Sequence, residues 1–139
     1  MKFIKSILLL QFLVSFNLHA VTLDIFKQML KCQDMKNLKG DKKNDKFFSC
    51  LEPYIHYQEN KLVKQQIALT FFQMEKITSP AECSKKMKKT LQSVYKNGSR
   101  FVCFKAMVDG QEKESFAVFQ KSDKEKLWKN WKIIRLKYH

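Results

Sequence analysis

Glycine and histidine are scarce in this chain of 139 residues, with only three of each. A glycine-rich loop whose backbone N–H groups hold phosphate is therefore absent, as are the G-x-S-x-G and H-E-x-x-H motifs. The four cysteines contain no C-x-x-C pair, which argues against a zinc site because so few histidines could complete it. The sequence therefore predicts a protein that is not an enzyme and holds no cofactor or metal.

Long apolar runs are also lacking, apart from the stretch of residues 7–16. Lys2 and Lys5 precede this stretch and Ala20 follows it, an arrangement typical of a cleavable secretory signal and too short for a membrane span. We predict that residues 1–20 are a signal peptide and that residues 21–139 form a single exported domain. The product is expected to be periplasmic or secreted, with no integral membrane span.

All four cysteines follow the predicted signal, and an even number in an exported chain favours two disulfides. Four cysteines allow three connectivities. The chain reverses between Cys32 and Cys50, and again between Cys83 and Cys103. At a rise of about 1.5 Å per helical residue and about 3.3 Å per strand residue, the two cysteines of each pair lie at similar distances from the reversal. We predict these two pairs, each stabilising the fold by roughly 3 kcal/mol.

Basic residues outnumber acidic ones by 27 to 13, a formal net charge of +14. Loss of the signal removes two lysines and no acid, which leaves about +12. Only Arg100 and Arg135 are arginines. Since lysine offers a point charge and not a planar fork, this charge suits loose attraction to acidic partners and not the reading of bases. Solubility is the alternative explanation.

Apolar residues at helical spacing predict three helices in the N-terminal half. The first covers residues 22–38, the second is capped by Asn44 or Asp45 and ended by Pro53, and the third starts at Asn60. Their apolar positions are Leu23, Phe26, Met29, Leu30, then Phe47, Phe48, Leu51, then Val63, Ile67, Phe71 and Met74.

A fourth helix is predicted from the stretch SPAECSKKMKKTLQSVYKNG. Ser79 and Glu82 have the spacing of a capping box, Pro80 occupies the first helical position, and residues 97–98 supply the stop. The inward stripe would be Cys83, Met87, Leu91 and Val94. The other faces carry a lysine cluster, which is either a solvated surface or the best candidate for electrostatic contact: Lys85, Lys86, Lys88 and Lys89.

The C-terminal third has the pattern of an antiparallel meander. A turn at Asp109 and Gly110 would place Lys105 opposite Glu114 and Cys103 opposite Phe116. The ending LWKNWKIIRLKYH also fits an amphipathic helix, but after a hairpin it is better explained as a third strand. Ile134, Leu136 and Tyr138 would then share one face, opposite Trp131 and Ile133, with Trp128 and Trp131 as exposed contact points.

Together these elements predict an α+β fold, with N-terminal helices packed on a three-stranded antiparallel meander and stapled by two disulfides. Over residues 80 to 139, a meander ending in WKNWKII resembles the NTF2-like and cystatin-like α+β group. The resemblance implies a concave sheet face wrapped by helices, a shape used for ligand pockets and for protein binding. The cystatin motif Q-x-V-x-G is absent, and no functional residue is carried over.

Three functions follow as hypotheses. The leading one is an exported binding protein, such as an immunity protein or an inhibitor of a toxin or hydrolase, that uses the lysine cluster and the two tryptophans. The second is a polyanion binder acting on lipopolysaccharide or nucleic acid. The third is a ribonuclease-like hydrolase in which His56 and His139 share acid and base roles, although the motif C-K-x-x-N-T-F is missing. The sequence does not indicate an oligomeric state.

Overall fold

A computed structural model of the chain describes residues 21–37, 42–55, 61–121 and 131–138. These residues form helices and an antiparallel four-stranded sheet, so the predicted α+β class is confirmed. The predicted signal peptide, His56, Trp128 and His139 lie outside the described residues.

Three helices form the N-terminal half, as expected, although their ends differ from the prediction. Helix α1 covers residues 21–30 and tightens into a 3-10 helix, Lys31–Asn37. Helix α2 is Lys42–Leu51, followed by a 3-10 turn, Glu52–Tyr54, that contains Pro53. Helix α3 is Lys61–Gln73. Because α2 starts at Lys42, the predicted caps Asn44 and Asp45 are wrong: both residues lie inside the helix.

The sheet is a meander of four strands in the order β1-β2-β3-β4, one more strand than predicted. The strands are β1, Glu75–Glu82; β2, Arg100–Val108; β3, Gln111–Lys121; and β4, Trp131–Tyr138. Between β2 and β3 the turn residues Asp109 and Gly110 have positive φ angles of 52° and 79°, as a two-residue hairpin loop requires. The predicted register is confirmed, with Lys105 opposite Glu114 and Cys103 opposite Phe116.

Strand β1 replaces the predicted start of the fourth helix. Ser79, Pro80 and Glu82 lie in this strand, and helix α4 begins later and covers Lys85–Gln92. Proline is tolerated here because β1 is the first strand of the sheet and pairs only with β2 among the described strands. The helix is capped instead by Ser84, whose Oγ accepts a hydrogen bond from the Met87 N–H at 3.2 Å.

Helix α4 also ends earlier than predicted, and its inward stripe is shorter. Leu91 is buried and Met87 half-buried, but Val94 lies beyond the helix end with 71% of its surface exposed. Cys83 precedes the helix and does not belong to its stripe. Gly98, with a φ of 88°, lies in the turn that leads into β2 and does not end α4.

A bulge in β4 changes which side chains share a face. Val118 pairs with Arg135 while the next residue, Phe119, pairs with Ile133, so Ile134 is an extra residue. The described residues form two hydrophobic cores, a larger one between the sheet and the N-terminal helices and a smaller one on the other face of the sheet. Ile133 and Leu136 therefore both enter the larger core, and Ile134 packs against the smaller core. The predicted grouping of Ile134 with Leu136 is wrong because strict alternation does not survive a bulge.

The two faces of the sheet are covered unequally. Helices α1, α2 and α3 pack on one face in the larger core, where the rings of Phe26 and Phe104 lie 4.6 Å apart between centroids. Helix α4 covers part of the other face, where Leu91 packs with Phe101, Phe116 and Val118. The part of this second face that α4 does not cover is where the candidate site lies.

Both predicted disulfides are confirmed: Cys32 with Cys50, and Cys83 with Cys103. The first joins the 3-10 helix after α1 to α2, and the second joins the end of β1 to β2. Two disulfides fit an oxidising extracellular or periplasmic setting. None of the described helices combines the length and the continuous apolarity of a transmembrane segment.

Candidate functional site

A groove of about 250 Å³ opens on the second face of the sheet, between the first turn of α4 and the hairpin of β2 and β3. Its lining comes from four elements in addition to the segment that joins β1 to α4. The lining residues whose side chains bear on function are Ser79, Ala81, Ser84, Met87, Cys103, Lys105, Glu114 and Phe116.

The floor of the groove is apolar because it follows one row of residues across three strands. Ala81 in β1 is opposite Cys103 in β2, which in turn is opposite Phe116 in β3. Phe116 is buried and Cys103 half-buried by the smaller core. The half-buried side chain of Met87 closes this row on the α4 side. Paired strands and the Cys83–Cys103 disulfide hold the row of Ala81, Cys103 and Phe116 in place.

The rim on the hairpin side is charged. Lys105 and Glu114 are exposed and face each other across β2 and β3. The register predicts an ion pair between these two residues, but the Lys105 ammonium instead lies 3.9 Å from a carboxylate oxygen of Glu112, the diagonal neighbour. Exposed pairs of this kind contribute roughly 0–1 kcal/mol, so Lys105 is held only weakly and can turn toward a ligand.

Helix α4, which contributes Met87 to its side of the groove, is basic. Its sequence KKMKKTLQ has no acidic residue, and only Lys88 has an acidic neighbour, Glu82, with Nζ and Oε2 3.3 Å apart. Lys85, Lys86 and Lys89 are exposed and form no ion pair with any residue in the described ranges. Positive charge at a helix N-terminus opposes the helix dipole, so this arrangement does not stabilise the isolated fold.

Comparisons with protein-family models, with curated proteins and with solved structures all ended without a match. The resemblance to the NTF2-like and cystatin-like group therefore remains a prediction, and the function has to be inferred from the site alone.

The structure brings the four predicted lysines together on one helix and separates them from Trp131, the predicted aromatic contact that lies within the described residues. Trp131 is half-buried against the larger core, with the Arg100 guanidinium carbon 5.8 Å from its ring centroid. The predicted full exposure of Trp131 is therefore wrong, while its role as a contact point stays a prediction. The exposed large apolar side chains among the described residues are Leu69, Val94 and Tyr138.

The described part of the chain contains neither a free cysteine nor a cluster of metal-binding side chains. All four cysteines form disulfides. No group of three His, Cys, Asp or Glu side chains within the described ranges is placed to hold a metal ion. The groove and the basic helix beside it are the features that remain, and the groove was missed by the sequence analysis.

Proposed function

We propose that this protein is a non-catalytic binding protein that holds an acidic partner protein against α4 and the adjacent groove. The observation that carries the proposal is the basic helix α4, which has no acidic residue of its own and lies beside an apolar-floored groove. Lysines would lower the stability of the helix N-terminus without a partner, and they would gain favourable interactions when acidic side chains approach.

The apolar floor of the groove favours a protein partner over an acidic polymer that would bind through charge alone. Protein interfaces combine a buried apolar centre with a polar rim. Here the row Ala81, Cys103 and Phe116 would form the centre. Lys105 and the two lysines that flank Met87 on α4, Lys86 and Lys88, would form the rim. An acidic polymer would use the lysines but leave the apolar floor without a role.

We place this binding role outside the cytoplasm, in the periplasm or the extracellular medium. Residues 1–20 have the pattern of a cleavable signal, and the two disulfides are stable in an oxidising compartment. Among exported binding proteins of this size, an immunity protein or inhibitor that masks a toxin or hydrolase fits best, because its task requires a complementary surface and no active site.

A capture experiment tests the role of α4. The wild-type domain and a Lys85→Gln, Lys86→Gln, Lys88→Gln, Lys89→Gln variant are immobilised and exposed to periplasmic or culture-medium extract from the native host. We expect the wild type to retain an acidic protein in near-equal molar amount, and the variant to retain at least tenfold less. A control variant loses the same charge at four exposed lysines elsewhere, Lys27, Lys31, Lys46 and Lys121, and should capture normally.

A polyanion-binding function is the second candidate, favoured by the same unpaired lysines. Binding that rests on released counterions weakens steeply with salt and shows little dependence on apolar contacts. Heparin or DNA retention that depends on α4, together with the absence of any captured protein, would support this candidate and contradict the leading proposal. Equal loss of capture in the control variant would show that net charge alone matters and that α4 is not the site.

A further inference from the structure

The exposed edge of β1 restricts how a partner can reach the groove. Lys76 and Ser79 have left-handed φ angles of 46° and 56°, and Pro80 has no N–H to donate. The pairing of β1 with β2 shifts register twice, on either side of Thr78. Addition of a partner strand needs a regular row of backbone donors and acceptors, so this edge is unsuited to it. The partner must enter the groove with side chains.

The groove is large enough for an apolar side chain, because an apolar cavity of about 150 Å³ already holds a benzene molecule. Pockets for small molecules occupy about 300–1,000 Å³, whereas this groove has about 250 Å³ and is open to solvent. Protein interfaces concentrate their binding energy in a few anchor residues, whose side chains fill pockets on the partner. The apolar floor formed by Ala81, Cys103 and Phe116 selects an apolar anchor, because a polar group there would lose its hydrogen bonds to water.

The two walls of the groove differ in charge. In a helix, neighbouring residues are about 100° apart, so Lys86 and Lys88 flank Met87, which points into the groove. The opposite wall carries Glu114 and Lys105, and Lys105 forms an ion pair with Glu112. Carboxylates of a partner are therefore attracted on the α4 side, and repelled on the hairpin side wherever Lys105 does not offset them.

We infer that the groove takes one apolar side chain from a loop or helix of the acidic partner. The residues on one side of this anchor are acidic and lie over α4, and those on the other side are neutral or basic and lie over the hairpin. This inference rests on the proposed function, and it adds the type of segment that the partner presents and its orientation.

Defined peptides test the inference without knowledge of the partner. The probes are seven-residue peptides with free ends blocked: EEDLSSS and its reverse SSSLDEE, the same two with serine in place of leucine, and EEDLDEE. Binding is followed by the NMR shifts of the methionine methyl groups of the intact domain. We expect one leucine orientation to bind at least tenfold tighter than its serine counterpart, as burial of a leucine side chain permits, with the largest shift at Met87.

Two variants separate the anchor from the charges. Ala81→Phe fills the groove at an exposed position and should abolish the leucine preference, while acid-dependent binding to α4 remains. Glu114→Gln removes the repulsion on the hairpin side. The affinity of EEDLDEE should then rise to that of the tighter-binding leucine peptide with acidic residues on one side only. An unchanged melting temperature confirms that each variant is folded.

The outcomes distinguish this inference from the proposed function. Equal binding of leucine and serine peptides, with loss of both in the variant that lacks the four α4 lysines, would overturn the anchor and leave the proposed function standing. A leucine preference that survives Ala81→Phe would also overturn it. Absence of acid-dependent binding by any peptide would count against both.

Discussion

At the scale of single residues, Lys36 has an unusual position for a lysine. Its ammonium donates to the carbonyl oxygens of Phe72 and Met74, the latter at 3.0 Å, at the end of α3. The same ammonium lies 5.0 Å from the centroid of the Phe72 ring. Partial burial lowers the pKa of Lys36, and the nearby carboxylate of Glu75 opposes this shift. The side chain thus joins the 3-10 helix after α1 to carbonyls that α3 itself leaves without partners.

Replacement of Lys36 should therefore destabilise the fold at neutral pH. Lys36→Met keeps the aliphatic part of the side chain but removes a charged donor from two carbonyls. Since hydrogen bonds to charged groups contribute about 1.5–3 kcal/mol and removal of the buried charge offsets part of this, we expect a net loss of about 1–2 kcal/mol. Urea unfolding measures it, with the exposed Lys31→Met as a control that should change stability little.

Glu52 offers a test of electrostatics on the surface. A hydrogen bond from Lys64 at 2.8 Å, together with the charge of that lysine, lowers the pKa of Glu52 below its ordinary value of 4.5. A lowered carboxyl pKa adds stability above the unfolded pKa, and this stability is lost as pH falls through the folded pKa. We expect NMR titration of the Glu52 carboxyl to show a midpoint below 4.5 that returns toward it in Lys64→Ala. A midpoint unaffected by Lys64→Ala would show that the ion pair does not form in solution.

At the scale of elements, two serines compete for the start of α4, and the structure chooses Ser84 over Ser79. Ser84→Ala removes the side-chain acceptor for the Met87 N–H and should cost about 1 kcal/mol. Ser79→Gly should be neutral or stabilising, because Ser79 has a left-handed φ of 56° that glycine adopts without strain. Thermal or urea unfolding of the two variants measures both effects. A larger loss at Ser79 would mean that the helix starts where the local sequence pattern predicts.

Local signals in the sequence were sufficient where one segment decides its own structure. The turn at Asp109 and Gly110 fixed the hairpin register, and the amphipathic spacing located α3. The start of α4 was misjudged because Ser79 and Pro80 have a helical capping pattern, whereas their strand is determined by pairing with β2. Long-range pairing of this kind routinely overrides local propensity.

Only the lysine cluster of the candidate site could be predicted from the sequence, because the groove also depends on long-range pairing. The lysines of α4 are adjacent in sequence and were identified as a cluster. The floor of the groove unites Ala81, Cys103 and Phe116, which come from three strands and share no sequence pattern. The Cys83–Cys103 pairing was the one available signal, because it implied that the residues just before Cys83 lie beside β2.

At the scale of the whole molecule, the two disulfides stabilise different parts of the fold. Cys32 and Cys50 are both in the helical layer, and Cys32 is fully buried in the larger core. Cys83 and Cys103 lie on the opposite face, where Cys103 is part of the groove floor and Cys83 directly precedes the cap of α4. One disulfide therefore supports the scaffold, and the other fixes the distance between α4 and the hairpin.

Removal of each disulfide should consequently have similar effects on stability and different effects on binding. The sequence separations are 18 and 20 residues, so loss of either link restores nearly the same freedom to the unfolded chain, about 3 kcal/mol. We expect Cys32→Ala with Cys50→Ala, and Cys83→Ala with Cys103→Ala, to lower the free energy of unfolding equally in urea. Only removal of the Cys83–Cys103 disulfide should weaken binding of the leucine peptides, measured by NMR under conditions in which both variants are folded. Equal weakening in both variants would show that binding follows global stability, and that the position of α4 over the groove is not controlled by Cys83 and Cys103.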